Sequence, residues 1–224
     1  MLVIQGKYEG IKQGLFTFVN PYSYVVLSRE ITKEDLNEFV LYADGIFIVW
    51  IERLINKVYL NRVSFDFTSI AGMVFEQVEN EKKIISFVGS SEEYIIIFEK
   101  VIRSLYPNMV IDVCCSGYFK DNEHRRKVVD KLSSSDVVVV GMGAPLQERF
   151  LLDLKDTGWA GSGYTCGGFI EQTAVSNGVY YPDLVDKMNL RWLYRLIKEP
   201  RKLWYRYVIQ YPFFILFYLR EWVK

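Results

Sequence analysis

The sequence predicts an α/β fold: a mostly parallel sheet with helices on both faces, followed by a helical C-terminal appendage. Three observations support it. Short apolar runs rich in β-branched residues alternate with helical segments, as in sheets built from right-handed crossovers. Glycine and polar residues repeatedly follow these runs. Strand signals stop after Pro182, so we predict an α/β domain over residues 1–182 and an appendage over residues 183–224.

The elements follow in order along the chain. Thr32 is a plausible helix cap, with Asp35 three residues later. A turn at Ala43, Asp44 and Gly45 precedes a short apolar run. The predicted strands are residues 14–19, 46–49, 84–88, 109–114, 137–140 and 164–166. The predicted helices are residues 22–29, 33–42, 66–79, 91–105 and 121–132, with helices again after residue 182.

The most informative segment is residues 134–150, SSDVVVVGMGAPLQERF. Its four valines suit a strand buried on both faces of a parallel sheet. Gly141 and Gly143 then make a tight turn, and Pro145 suits the first turn of a helix. Such a turn directs backbone N–H groups towards an anion such as a diphosphate. A plain structural turn remains the alternative, because the third glycine of the dinucleotide fingerprint is absent.

Charge is divided unevenly along the 224 residues, although the net charge is zero. Residues 191–224 carry eight Lys/Arg and two Glu, a net +6, and eleven aromatic residues. This pattern predicts an interfacial helix on an anionic membrane surface. The alternative is a helix packed on the core or in a protein–protein interface. No run reaches the ~20 apolar residues that a membrane span needs, and no nucleic-acid partner is predicted.

Several types of chemistry find little support in the residues present. Cys114, Cys115 and Cys166 lie in apolar contexts without metal-ligand spacing, so we expect buried reduced thiols. The single histidine, His124, lies in a charged helical stretch and is predicted to be at the surface. With no histidine cluster and no Asp-x-Asp, we predict neither a metal site nor a cofactor. The N-terminus shows no signal-peptide pattern.

Candidate binding residues follow the predicted strands, where ligands of open parallel sheets bind. They are Asn20, Gly89, Ser90, Gly117, Gly141, Gln147 and Gly167. Asp44 could be a general base or simply a turn aspartate. It stands before its predicted strand, so geometry alone does not bring it to that edge. Arg62 could bind a diphosphate or be solvated, and Asp66 could cap the following helix.

Taken together, these motifs resemble the WecG/TagA/CpsF family of bacterial glycosyltransferases over residues 20–206. The most specific parts are VGMGAPLQE at 140–148, GYF at 117–119, ADG at 43–45, LRWLYR at 190–195 and EPR at 199–201. The resemblance implies a Rossmann-like domain with a membrane-contacting appendage. It also implies sugar transfer from a UDP-sugar to a polyprenyl-diphosphate-linked sugar at the inner face of the cell membrane.

The resemblance also implies roles for particular residues. Asp44 would be the catalytic base, and Gln147 is taken as a second catalytic residue. The implied substrate-binding residues are Asn20, Arg62, Gly89, Gly117, Tyr118, Gly141, Gly143, Glu148, Gly167, Gly168, Arg195, Arg201 and Arg206. The three appendage arginines are expected near the diphosphates.

Other functions remain open at this point. A non-catalytic nucleotide-sugar-binding subunit could dock a partner enzyme through the aromatic tail. A dinucleotide-dependent oxidoreductase is disfavoured by the missing third glycine. A homo-oligomer is compatible with the sequence, which names neither the donor nor the acceptor.

Overall fold

A computed structural model describes residues 2–176, 185, 190–198 and 200–223, without the side chains of residues 191, 195, 202 and 206. The described strands form one seven-stranded sheet of order β1-β3-β2-β7-β6-β4-β5, and every pair is parallel. The strands are β1 Ile4–Gln5, β2 Gly14–Val19, β3 Phe39–Ala43, β4 Ile84–Gly89, β5 Val110–Cys115, β6 Val137–Gly141 and β7 Ser162–Thr165. The predicted α/β class with a parallel sheet is therefore confirmed.

Helices cover both faces of this sheet. Those before the C-terminal region are α1 Pro21–Glu30, α2 Lys33–Leu36, α3 Ile46–Ile51, α4 Ala71–Asn80, α5 Glu92–Leu105, α6 Asn122–Lys131, α7 Leu146–Asp156 and α8 Phe169–Ser176. A π-helical turn, Glu52–Asn56, continues α3. The C-terminal helices are α9 Arg191–Lys198, α10 Pro200–Tyr205 and α11 Tyr211–Val223, with a π-helical turn, Arg206–Gln210, before α11. The predicted boundary at residues 182 and 183 lies outside the described residues.

Successive side chains of each strand point to opposite faces of the sheet and therefore pack in two separate hydrophobic cores. Phe16 and Phe18 of β2 pack with α4, α5 and α8 on one face, whereas Leu15 and Val19 pack with α1, α6 and α7 on the other. The four valines of β6 are all buried, Val137 and Val139 in the first core and Val138 and Val140 in the second. This two-sided burial explains why the strand reads as a continuous apolar run.

Two predicted elements between residues 33 and 49 are wrong. The predicted helix 33–42 ends at Leu36, and Phe39–Ala43 is strand β3. The predicted strand 46–49 is instead helix α3. Short apolar runs do not distinguish a buried strand from a buried helix. In α3, Ile48 and Ile51 are buried one helical turn apart. Asp44 therefore follows a strand instead of preceding one.

The remaining predicted strands and helices are found with shifted ends. The largest shift is in α4, which begins at Ala71 instead of residue 66. The Asp66 side chain accepts hydrogen bonds from the N–H and hydroxyl of Thr68, 2.9 and 2.6 Å away. Asp66 thus forms a turn ahead of the helix and does not cap it.

The last helix is anchored to the α/β domain by a small third core. Phe214 and Tyr218 of α11 are buried with Tyr24, Ala43, Ile48, Ile51 and Leu60. Tyr218 donates its hydroxyl to Glu52 Oε1 at 2.6 Å, and Asn56 Nδ2 donates to both Glu52 Oε2 and the Tyr218 oxygen at 2.7 Å. Glu52 is only 5% exposed. The C-terminal helix is therefore held by packing and by directional hydrogen bonds.

We predict that Tyr218→Phe lowers the free energy of unfolding by about 1–3 kcal/mol, because it removes two hydrogen bonds and leaves Glu52 Oε1 without its donor. Urea denaturation measures the change. Tyr59→Phe is the matched control, since Tyr59 is 76% exposed. Equal stability of the two variants would contradict this account of the anchor.

Candidate functional site

One large cleft, of about 940 Å³, opens at the carboxyl edge of the sheet. Residues that follow β2, β3, β4, β5, β6 and β7 line it, because the parallel strands all end at this edge. The cleft has space for a ligand of nucleotide-sugar size.

Most of the predicted site residues line this cleft. They are Asn20, Asp44, Arg62, Gly117, Tyr118, Gly141, Gly143, Gln147, Gly167 and Gly168. Gly89, Glu148 and Arg201 are not among the lining residues. The side chains of Arg195 and Arg206 lie outside the part of the chain that the structure describes.

Gly89 is not among the lining residues and packs closely against the backbone of Gly141. A Cβ atom on Gly89 would lie 2.5 Å from the carbonyl oxygen of Gly141. Only a residue without a side chain fits there, so the paired ends of β4 and β6 approach each other closely. Gly89 thus shapes the floor of the cleft from below.

Asp44 is positioned by the pairing of β2 with β3. Its backbone N–H donates to Val19 O at 2.8 Å, which extends the ladder by one residue beyond the strands. Asn20, the residue after Val19, lies beside the Asp44–Gly45 turn; an added Gly45 Cβ would be 3.8 Å from Asn20 Cβ. Asn20 Oδ1 accepts the N–H groups of Tyr22 and Ser23 and so caps α1. The Asp44 side chain is 39% exposed.

Arg62 provides a cation next to Asp44. Arg62 Nη1 lies 4.0 Å from Asp44 Oδ1 and 3.1 Å from Ser64 Oγ. Ser64 in turn donates to Asp66 Oδ2 at 2.7 Å. These hydrogen bonds hold the guanidinium at the wall of the cleft, where it can interact with a carboxylate or a phosphate. Asp66 was predicted from the sequence only as a helix cap, and Ser64 was not predicted as a site residue.

Gln147 connects two glycine turns of the cleft. Its Oε1 accepts the N–H of Gly143, after β6, and the N–H of Gly167, after β7, each at 3.2 Å. The prediction that the Gly-x-Gly turn leaves its amides free for an anion is thus wrong at Gly143. Pro145 directly precedes α7, and the Gln147 side chain reaches back to the turn.

Glu148 lies behind Gln147 and is fully buried. Its Oε1 accepts hydrogen bonds from Thr17 Oγ1 at 2.7 Å and from Gln147 Nε2 at 3.1 Å, while Oε2 has no hydrogen-bond partner among the described residues. Burial raises the pKa of Glu148, and these hydrogen bonds offset only part of the effect. The prediction that Glu148 contacts substrate is not supported by this position.

Aromatic residues of the C-terminal helices form another wall of the cleft. Trp192, Tyr207 and Tyr211 line it together with Phe47 of α3. The Phe47 ring lies 5.6 Å from Trp192 and 5.2 Å from Tyr211, centroid to centroid, in edge-on geometry. From the sequence these aromatic residues were assigned either to a membrane surface or to packing on the core or in an interface, and Trp192, Tyr207 and Tyr211 instead line the cleft.

The described residues give no support for a reactive cysteine, a metal-binding cluster or a helix that crosses a membrane. Cys166 lines the cleft, but burial raises the pKa of its thiol and so keeps it protonated. Residues 2–176, 185, 190–198 and 200–223 contain no cluster of three or more His, Cys, Asp or Glu that could bind a metal. Within the same ranges, no helix combines the length and hydropathy that a bilayer crossing requires.

Comparison with known proteins gives a consistent result. The model of the Glycosyl transferase WecG/TagA/CpsF family matches residues 4–224. The chain is 37% identical over 211 residues to a UDP-Gal:alpha-D-GlcNAc-diphosphoundecaprenol beta-1,4-galactosyltransferase of Shigella boydii, covering 93% of this chain and 86% of the relative. It is 29% identical over 187 residues to an N-acetylglucosaminyldiphosphoundecaprenol N-acetyl-beta-D-mannosaminyltransferase of Bacillus subtilis (strain 168), covering 83% and 70%.

The raised pKa of Glu148 predicts a pH-dependent effect of Glu148→Gln. The folded protein keeps this carboxyl protonated above its ordinary pKa of 4.5, whereas the unfolded chain ionises it. As pH rises above about 4.5, wild-type stability should therefore fall relative to the variant, until the raised pKa is reached. Urea denaturation over a pH series measures the difference. Glu93→Gln, at an exposed position, controls for the loss of one carboxylate, and a pH-independent difference for Glu148→Gln would contradict the prediction.

Proposed function

The chain belongs to the WecG/TagA/CpsF family of glycosyltransferases, and we propose that it transfers a sugar from a UDP-sugar to a lipid-diphosphate-linked sugar in surface polysaccharide synthesis. The observation that carries the proposal is Asp44 beside Arg62 in the cleft that holds the glycine turns. The two relatives support it, since the names of both specify an acceptor sugar on a diphosphoundecaprenol. UDP-galactose is the first donor to test, because the Shigella boydii relative is named for it.

In the proposed mechanism, Asp44 acts as a general base. Its carboxylate accepts the proton of an acceptor hydroxyl as that oxygen attacks the anomeric carbon of the donor. The bond between the anomeric carbon and the diphosphate oxygen breaks, and UDP leaves with the bonding electrons. A single displacement of this kind inverts the anomeric configuration.

The leaving diphosphate needs positive charge and hydrogen-bond donors in this mechanism. Arg62 and Lys198 are cations that line the cleft, and we assign this electrostatic role to Arg62 because it lies beside Asp44. Arg195, Arg201 and Arg206 of the C-terminal helices remain further candidates by resemblance. Arg201 is exposed outside the cleft, so its contribution would require a bound ligand that extends beyond the lining residues.

The acceptor lipid suggests that the protein works at the inner face of the cell membrane as a peripheral protein. Helix α11 has two apolar sides, one of which carries the buried Phe214 and Tyr218. Leu216, Trp222 and Val208 are 69%, 52% and 58% exposed. Basic residues flank this segment. An exposed apolar surface with flanking cations suits an anionic membrane surface.

We predict that Asp44→Asn lowers kcat by ~10²–10⁴ with little change in UDP affinity, because the amide keeps the shape but cannot accept the proton. UDP release with UDP-galactose and a short-chain lipid-diphosphate-linked GlcNAc measures kcat, and calorimetry measures UDP affinity. Asp156→Asn, an exposed change at the end of α7, is the control. Retention of more than about a third of the wild-type kcat, with chemistry rate-limiting, would rule out Asp44 as the base.

We predict that Leu216→Ser combined with Trp222→Ser weakens binding to vesicles that contain an anionic phospholipid by at least about tenfold, since each side chain loses apolar burial of ~1.5 kcal/mol or more. Co-sedimentation measures the bound fraction. Ile96→Ser with Leu105→Ser removes comparable exposed side chains, 45% and 50% exposed, from α5. Equal loss of vesicle binding in both double variants would argue against α11 as the membrane-binding element.

A further inference from the structure

The turns after β6 and β7 are joined through a single side-chain oxygen, Gln147 Oε1. Gly143 and Gly167, whose N–H groups it accepts, both line the cleft. Both have positive φ, 77° and 53°, a conformation that favours glycine. Because one oxygen accepts from both turns, its position determines how far apart they lie.

The orientation of the Gln147 amide is set from both ends. Two N–H groups face one end, so that end must be the carbonyl oxygen. The other end must find an acceptor, and Glu148 Oε1 supplies it at 3.1 Å. Reversing the amide would place an NH₂ group against two N–H donors. The assignment of the two amide atoms therefore follows from the hydrogen-bond network itself.

Two threonine hydroxyls form a relay of hydrogen bonds that ends at Glu148 Oε1. Thr165 Oγ1 accepts the N–H of Phe18 at 3.4 Å and donates to Thr17 Oγ1 at 2.9 Å. Thr17 Oγ1 donates to Glu148 Oε1 at 2.7 Å. Glu148 Oε1 thus accepts two hydrogen bonds: one from Thr17, at the end of the threonine relay from β7 and β2, and one from Gln147.

We propose that Glu148 is a positioning residue: its buried Oε1 orients Gln147 and thereby fixes the spacing of the Gly143 and Gly167 turns, which line the cleft in which the nucleotide binds. The identity of the ligand rests on the proposed function, whereas the orienting role rests on the hydrogen bonds alone. Glu148 does not contact the ligand, since it lies behind the wall of the cleft and is fully buried.

The role requires an acceptor but not a negative charge. The groups that donate to the carboxyl are neutral, Thr17 from β2 and Gln147 from α7, and Thr165 from β7 donates in turn to Thr17. An ionised carboxylate without a cationic partner is costly in such a place. A glutamine at position 148 offers the same acceptor oxygen. A methionine of similar length offers no comparable acceptor.

Binding of UDP to the full-length chain, measured by calorimetry, tests the proposal with three variants. Glu148→Met should weaken binding by about tenfold or more, the equivalent of losing one orienting hydrogen bond. Glu148→Gln should stay within about threefold of wild type. Thr17→Val, which removes the other donor to the same oxygen but leaves Gln147 held, should also stay within about threefold. Equal weakening by Thr17→Val and Glu148→Met would overturn the proposal, because it would reflect general disturbance of the core.

A second measurement needs no ligand. Hydrogen exchange of the Gly143 and Gly167 amides, followed by NMR, should be faster by about tenfold or more in Glu148→Met and unchanged in Glu148→Gln. If Glu148→Met does not fold, Gln147→Met takes its place and should give the same faster exchange and weaker UDP binding. Unchanged exchange at both amides overturns the positioning role. Failure of wild type to bind UDP, with the exchange result as expected, overturns the proposed ligand and not the role of Glu148.

Discussion

The site depends on one constraint, the parallel direction of all seven strands. Each strand then delivers its following turn to the same edge of the sheet. Between β2 and β3 the ladder continues for one residue beyond the strands, through the hydrogen bond from Asp44 N–H to Val19 O. Asn20 and Asp44 are brought together by this pairing, although they are far apart in sequence. At the other half of the edge, glycines allow the paired ends of β4 and β6 to approach closely.

Local signals in the sequence were sufficient wherever an element carried its own pattern. Strand β6 is one example, since four valines followed by two spaced glycines indicate both the strand and its turn. Residues 39–49 lacked such a signal, because Phe39–Ala43 and Ile46–Ile51 are both short, apolar runs. Assigning them in reverse placed Asp44 at the wrong end of its strand. The resemblance to known glycosyltransferases indicated Asp44 as a candidate base, and the pairing of β3 with β2 explains why Asp44 lies at the carboxyl edge of the sheet.

The polar network behind the cleft could not be found from sequence at all. Thr17 and Glu148 are separated by 131 residues, and Thr17 and Thr165 by 148. No spacing rule connects residues across such distances. The surroundings of the aromatic residues in the C-terminal helices could not be predicted either, because composition gives their number but not the directions of their side chains. The structure divides them among three surroundings: Tyr218 in a core, Trp192 in the wall of the cleft, and Trp222 towards solvent.

Two buried carboxyl groups lie where orientation matters most. Glu52, 5% exposed, receives the hydroxyl of Tyr218 and so joins α11 to the π-helical turn after α3. Glu148, fully buried, accepts from the amide of Gln147, whose oxygen joins α7 to the turns of the cleft. Apolar side chains at positions 52 and 148 would be buried at a lower cost in desolvation free energy, but apolar packing is not directional. A hydrogen bond to a fixed acceptor selects one orientation of its donor. The same physical device therefore aligns the C-terminal helix at one side of the cleft and the glycine turns at the other.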